Sequence, residues 1–264
     1  SYLIDDEMVA LVDTVDICYF EVYLRKIKQV IGERPINYLI INHMEPDHSG
    51  SIRLIKQHYP EIIIVGNKQT FGMIEGFYGV TGEQYLVKEG DFLALGHHKL
   101  RFYMTPMVHW PETMMTFDET DGVLFSGDGF GCFGTVDGGF LDTRINVDKY
   151  WGEMVRYYSN IVGKYGSPVQ KALQKLGGLP ISAICSTHGP VWTENIAKVI
   201  GIYDRLSRYD ADEGVVIAYG SMYGNTEQMA EAIAEELSAQ GVKNIVMHNV
   251  TKSHPSYIIA DIFR

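Results

Sequence analysis

The chain has 264 residues, more than one average domain needs, so one large domain or one and a half is expected. Hydrophobic residues make up 46% and charged residues 21%, which suits a soluble globular protein able to bury a core, and no run of about 18 apolar residues exists to span a membrane. The net charge of −11 argues against nucleic acid as a partner, because such binding depends on Lys and Arg neutralising phosphates.

The opening "SYLIDDEMVALVDT" lacks the basic region and apolar stretch of a signal peptide and reads as a hairpin around Asp5, Asp6 and Glu7. "INYLIIN" is an apolar run that stops at a cluster of polar residues. "SIRLIKQHYP" is helical, with Ser51 as N-cap and Pro60 as its stop. "EIIIVGN" predicts a buried strand, and "KQTFGMIEGFYG" a short helix ending near Gly79. From Gln84 to Val108 successive strands turn at Glu89-Gly90 and Gly96-His97, and "MMTFDETDGVLFSGD" is a hairpin turning at Asp121-Gly122. His97 and His98 point to opposite faces of a strand and read as an exposed turn. "KYWGEMVRYYSNIVGKYG" and "SPVQKALQKLGG" are helical, "ISAICSTHGP" is a strand running into a loop, and "TENIAKVIGIYDRLSRY" is a helix capped by Thr193. Cys18, Cys132 and Cys185 have no paired spacing, which suggests reduced thiols and a cytoplasmic setting.

The acidic "DADEG", Asp210 to Gly214, breaks this rhythm, and a new one follows. "GVVIAYGS" is a buried strand, "MYGNT" a turn, "EQMAEAIAEELSAQG" a helix ending at Gly241, "KNIVMHNV" a second strand and "SYIIADIFR" a further helix. That is the start of a doubly wound α/β domain. Sheets covered by helices are expected throughout.

The chemistry concentrates at "INHMEPDHSGS". If the chain stays extended after Asn42, His43, Glu45 and Asp47 point to one side, with Pro46 keeping Glu45 out of the helical region. His48 then leaves on the opposite side and reaches a second ion. Asp47 and His48 would serve one metal while His43 and Glu45 serve its neighbour. His109, Asp128 and His188 each follow a strand-like run, and strand ends on one rim can converge. Gly127 and Gly129 let the backbone turn tightly around Asp128. Any one of these residues alone would read as an ordinary loop residue; the ordered set does not.

The pattern His43-x-Glu45-x-Asp47-His48, followed by His109, Asp128 and His188, resembles the metallo-β-lactamase superfamily. Glu45, where many hydrolases carry a second histidine, joined to "SMYGNT", resembles the flavodiiron proteins, also called A-type flavoproteins. The resemblance covers essentially the whole chain. It implies a metallo-β-lactamase-like αββα sandwich over residues 1–210, then the N-terminal part of a flavodoxin-like FMN-binding domain over 214–264. It also implies a non-haem diiron site. His43, Glu45 and His109 bind one iron, Asp47 and His188 the other, and Asp128 bridges them. His48 matches the last position of the motif, which is not a ligand in every member. Replacing a histidine by Glu45 makes the site harder and more anionic, which suits iron cycling between Fe(II) and Fe(III) rather than zinc. A zinc-dependent hydrolase of the same fold is the alternative, and it leaves Glu45 and "SMYGNT" unexplained.

In the second domain, backbone N–H groups, hydroxyls and a helix N-terminus bind a phosphate monoester. By resemblance Ser221, Met222, Gly224, Asn225 and Thr226 contact the FMN phosphate and ribityl chain. The two later loops that hold the isoalloxazine ring in flavodoxin-like domains are not in this sequence, so it is expected to hold FMN weakly and to leave a sheet edge open. The implied activity is reduction of dioxygen to water, of nitric oxide to nitrous oxide, or both. Electrons would come through FMN from an external donor such as rubredoxin or a reduced deazaflavin. The implied assembly is a head-to-tail homodimer or dimer of dimers. Trp110 and Tyr158 are candidates for lining the pocket, against the alternative that both are core aromatics.

Overall fold

A computed structural model describes residues 1–264. The first half builds β1 (Tyr2–Ile4), β2 (Ala10–Val12), α1 (Phe20–Ile31), β3 (Tyr38–Ile40), α2 (Pro46–Ser49), α3 (Ile52–His58), β4 (Ile63–Gly66), α4 (Lys68–Tyr78) and β5 (Gln84–Leu86). The strands form one sheet in the order β1-β2-β3-β4-β5, with β1 antiparallel to β2 and the rest parallel. Then come β6 (Phe92–Ala94), β7 (Lys99–Met104), β8 (Met114–Asp118) and β9 (Val123–Gly127), followed by helices α5 (Asp148–Tyr157) and α6 (Gly166–Leu176), strand β10 (Ala183–Ser186) and helix α7 (Ile196–Ser207). The second sheet runs β10-β9-β8-β7-β6, antiparallel except where β10 joins β9.

Alternation along the strands assigns each side chain to a layer. In β2, Ala10 and Val12 join Ile40, Val65, Phe102, Met114 and Phe125 in a core shared by the two sheets. Leu11, between them, faces the opposite way with Leu39, Ile41, Ile52, Ile55 and Ile64, under α1, α3 and α4. In the second sheet Met115, Phe117, Leu124 and Ile184 turn outward onto Tyr150, Met154, Val169, Val199 and Tyr203 of α5, α6 and α7. Helix, sheet, sheet and helix therefore stack in four layers.

Helix α1 is unanticipated by the strand-and-helix reading above, although its signal is present. Phe20, Tyr23, Leu24, Ile27 and Ile31 recur at three- and four-residue spacing and all are buried. Thr193 does not cap α7. Asn195 occupies that position without a side-chain bond, and the Thr193 hydroxyl donates to Asp142, 2.6 Å away. The buried Asp142 carboxylate also accepts from the backbone N–H groups of Thr193, Glu194 and Asn195, so it organises the whole approach to the helix.

After α7, residues 210–213 form no regular element. Strand β11 (Val215–Tyr219), helix α8 (Asn225–Ala239), strand β12 (Ile245–Asn249) and helix α9 (Pro255–Phe263) follow, with β11 and β12 parallel. Helix α9 packs on α5 and on the π-helical turn Tyr158–Val162 that continues it. There Arg156 Nη1 donates to Ser256 Oγ at 2.9 Å and Asn160 Nδ2 to the Ser256 carbonyl at 3.0 Å. No helix is long and apolar enough to cross a membrane.

Candidate metal centre and flavin loop

The site forms where strands of both sheets end. His43 follows β3, His109 lies in the β7–β8 connection, Asp128 follows β9 and His188 follows β10. The chain does not stay extended through "INHMEPDHSGS". Glu45 is extended (φ −59°, ψ 142°), as a residue before proline should be, but Pro46 then opens the short helix α2. The Ser49 hydroxyl donates to the Met44 carbonyl, and a Cβ on Gly50 would fall 2.6 Å from the Pro46 oxygen, so the turn is tightly closed. The expectation that His48 leaves on the opposite side to Asp47 is therefore corrected: the helical turn brings both to the same cluster.

Two donor sets result. His43, Glu45, His109 and Asp128 offer ligand atoms within 4.8 Å of one another, as do Asp47, His48 and His188. In the first, His109 Nε2 lies 3.2 Å from His43 Nε2 and 3.1 Å from both Glu45 Oε2 and Asp128 Oδ2. In the second, His188 Nε2 lies 3.2 Å from His48 Nε2 and 3.2 Å from Asp47 Oδ2. Asp128 joins the sets: Oδ2 faces the first, while Oδ1 lies 2.8 Å from His48 Nε2 and 3.4 Å from His188 Nε2. His43, His48 and Asp128 form a buried floor. Glu45, Asp47 and His188 are about a third exposed and form an open rim, their side chains at 37%, 40% and 35%.

These residues fit cations. The paired imidazole Nε2 atoms at 3.2 Å, with carboxylate oxygens at similar distances, are spaced as donors to one ion would be, because bonds of about 2.0–2.2 Å to a common ion give donor separations of this size. The buried Asp47 Oδ1 has no hydrogen-bond partner. Outer partners fix the ligands, as metal sites require. Glu112, fully buried, accepts from His43 Nδ1 at 2.9 Å and from the Met44 N–H, which leaves His43 Nε2 to face the cluster. The Thr187 hydroxyl donates to Asp128 Oδ1 at 2.8 Å. Asp13, buried and in the left-handed region (φ 58°), accepts from the N–H groups of Asn42 and His43.

Without a cation the groups hold each other's charge. Burial pulls the His43 imidazole down, but hydrogen bonds to Glu112 and Glu45 override it and leave its pKa raised to about 10. His188, opposed by burial in the same way, is raised to about 9 by Asp128 and Asp47. Hydrogen bonds from His109 and His43 lower Glu45 to about 2. Burial opposes the charge on Asp128, yet contacts with His109, His188 and His48 hold it well below the usual carboxylate range. A metal would displace protons from these imidazoles.

Trp110 packs edge-on to His43, ring centres 5.3 Å apart, and with His109 lines a cleft of about 300 Å³ that also touches Ser159, Asn160 and Lys164. Tyr158 is not in a pocket. It is fully buried in the helix-covered core against Tyr203, because the residue that α5 turns toward the centre is its neighbour. That neighbour, Tyr157, packs 5.5 Å from the His188 ring, and burial together with Asp128 keeps its hydroxyl protonated far above neutral pH. A larger cleft, about 400 Å³, lies between β11, β12 and the end of α9 and includes no ligand residue. His97 begins a turn as expected, while His98 Nδ1 is paired with Asp118 at 2.7 Å. Sequence reasoning missed Tyr157, Glu112, Asp13 and Thr187. Glu112 had the nearest thing to a signal, three residues beyond His109.

In the second segment, Ser221 and Met222 lie in the loop after β11, Gly224 is the left-handed N-cap (φ 87°), and Asn225 and Thr226 open α8. The Gly224 N–H donates to Ser221 Oγ at 3.0 Å, and no side chain caps the first turn of α8, which leaves its N–H groups for an anion. The helix starts two residues earlier than the sequence suggests, so Thr226 sits within its first turn.

The four-layer sandwich with paired donor sets at its strand ends, followed by a strand–loop–helix phosphate motif, defines a metallo-β-lactamase-like domain joined to a flavodoxin-like segment. The family described as ODP family beta lactamase matches residues 1–189, and the flavodoxin family matches 217–263. The chain belongs to the ODP beta lactamase family and, with its flavodoxin segment, to the flavodiiron proteins. It is 31% identical over 269 aligned residues to an anaerobic nitric oxide reductase flavorubredoxin of Escherichia coli O1:K1 / APEC, covering 100% of this chain and 56% of the relative. Among solved structures it is similar to the rubredoxin oxygen:oxidoreductase of Desulfovibrio gigas (TM-score 0.94, 30% identity, 99% of this chain and 66% of that one). It is also similar to the flavodiiron protein of Giardia intestinalis (TM-score 0.94, 27% identity, 98% and 64%). The chain thus spans little more than half the length of the curated relative and about two thirds of the solved chains.

Proposed function

We propose that this chain carries the diiron centre of an oxidoreductase that reduces dioxygen to water, nitric oxide to nitrous oxide, or both. The observation that carries the reading is Asp128, whose two oxygens each face a separate donor set, one of which contains Glu45. His43, Glu45 and His109 would hold one iron, Asp47, His48 and His188 the other, with Asp128 shared. When bound, iron supplies one-electron redox change and open coordination positions for a diatomic molecule. The carboxylates of Glu45, Asp47 and Asp128 favour the more highly charged oxidised pair. The rim of Glu45, Asp47 and His188 leaves the approach open, and the Tyr157 hydroxyl, which keeps its proton, is an O–H donor beside His188 rather than a base.

Electrons would arrive through FMN held at Ser221, Met222, Gly224, Asn225 and Thr226. The names of the relatives support nitric oxide and dioxygen as substrates and rubredoxin as a donor; a reduced deazaflavin is the other donor class. In a head-to-tail homodimer, or a dimer of dimers, the flavin of one subunit would face the cleft at His109 and Trp110 of the next. Three free cysteines suit a reducing, cytoplasmic compartment.

The test avoids dependence on the flavin. The chain is loaded anaerobically with ferrous iron, reduced chemically, and mixed with either gas in stoichiometric amount. Nitrous oxide from nitric oxide, or loss of dioxygen without accumulation of peroxide, is expected. A preparation that retains only zinc, hydrolyses esters or thioesters and consumes neither gas would overturn the proposal.

A further inference from the structure

Helix α9 of the flavodoxin-like segment reaches the metal centre through a continuous series of packed groups. The Arg156 guanidinium carbon lies 4.6 Å from the centre of the Tyr257 ring on α9 and 4.5 Å from that of Phe133. The guanidinium is held in place by Ser256 on one side and Glu153 on the other, with Nε 2.9 Å from Glu153 Oε2. Phe133 then meets Tyr157 edge-on, ring centres 5.0 Å apart, and Tyr157 packs on His188. The Tyr157 ring lies close against Gly131, where an added Cβ would fall 3.0 Å from it. The segment after Tyr157 is the π-helical turn, an irregularity that often accompanies functional sites.

A planar, charged side chain between two rings is a spacer as well as a link. Its contacts with both rings and its N–H bonds to Ser256 and Glu153 hold its orientation. We propose that Arg156 is a positioning residue through which docking of α9 sets the Phe133–Tyr157–His188 stack, and with it the Asp47–His48–His188 half of the metal centre. His43, in the other set, is held instead from the sandwich, by Glu112 at its Nδ1 and by Asp13 at its backbone N–H. The segment that carries the flavin loop therefore acts chiefly on the ion position of Asp47, His48 and His188, and reaches the other only through the shared Asp128. This rests on the metal-centre reading but not on the identity of the metal.

The test is stepwise loading of the metal-free 264-residue chain with cobalt(II), followed by its visible absorption. Wild type is expected to take up two ions with two distinguishable spectra. Arg156→Ala is expected to weaken, by up to about tenfold, the uptake that His188→Ala abolishes and to alter its spectrum, leaving the other uptake within about twofold. Arg156→Lys, which keeps the charge and loses the plane, should restore only part of it. Tyr257→Ala removes a half-exposed side chain on the docking helix, so it should fold, and should shift the same ion in the same direction. Wild-type binding of both ions in Arg156→Ala and Tyr257→Ala, or equal weakening of both ions, would overturn the proposal. His188→Ala separates the two levels: if it leaves cobalt uptake unchanged, the reading of the centre fails, and not only the relay.

Discussion

The two segments of this chain solve opposite problems. In the sandwich, two sheets and their helices bury Val12, Ile40, Leu100, Phe102 and Met114 completely or nearly so, and that rigid floor lets His43, Asp128 and Glu112 sit in the interior as charged or polar groups with named partners. The flavodoxin-like segment has only two strands. Met222, Tyr223, Met229, Ile233 and Ile262 are exposed there, and only Ala230, Ser256 and Ala260 are buried. Packing therefore fixes the metal centre, while in the flavin loop the Gly224 N–H donates to Ser221 Oγ within the turn itself. The lesson is that a site built on strand ends inherits the precision of the core beneath it.

That contrast can be broken or sharpened by substitution. The largest difference is expected in stability. Ile40→Ala, in the fully buried inter-sheet core, should cost roughly 2–5 kcal/mol in urea unfolding, and Ile233→Ala, on an exposed face of α8, within about 0.5 kcal/mol. Similar costs at the two positions would mean that α8 is packed against something in solution. Next comes Glu112→Gln, which keeps the shape but removes the charge behind His43. Affinity for the first ion should fall about 10–100-fold, measured by metal titration, with the second ion little changed.

The same contrast bears on the pH dependence of the metal-free chain. His43 and His188 are raised to about 10 and about 9 from an ordinary 6.5, so their contribution is complete below pH 6.5 and is lost as pH climbs through those values. Glu45, lowered to about 2 from 4.5, contributes above 4.5 and loses its contribution as pH falls toward 2. The urea midpoint should accordingly decline at both ends. Metal binding, which displaces the imidazole protons, should tighten from about pH 6 to pH 9. A midpoint flat across the alkaline range would show that the two imidazoles are already neutral.

The candidate ligands were legible as one cluster, His43, Glu45, Asp47 and His48, and three residues that each follow an apolar run, His109, Asp128 and His188, in an order that resembles the flavodiiron pattern. Glycines and the "SMYGNT" turn did the same for the second segment. Three things were not legible. Pro46 signalled an extended Glu45 but not the helical turn after it, which depends on Ser49 reaching the Met44 carbonyl and on the space around Gly50. Tyr157 and Tyr158 are adjacent aromatics on one helix, and only the placement of α5 decides which faces the metals. Glu112 and Asp13 act from behind the ligands, where a carboxylate's role comes from burial and partner and not from its spacing. Helix α1, by contrast, was missed although the spacing of Phe20, Tyr23, Leu24, Ile27 and Ile31 carried its signal.

The central claim is that one carboxylate serves two ions. It is tested most directly by loading the chain with ferrous iron, oxidising it, and measuring iron content together with magnetic coupling. Wild type should hold two ferric ions per chain whose spins are coupled, and Asp128→Ala should lose the coupling together with at least one ion. A single ion per chain, or two uncoupled ions unaffected by Asp128→Ala, would contradict the account.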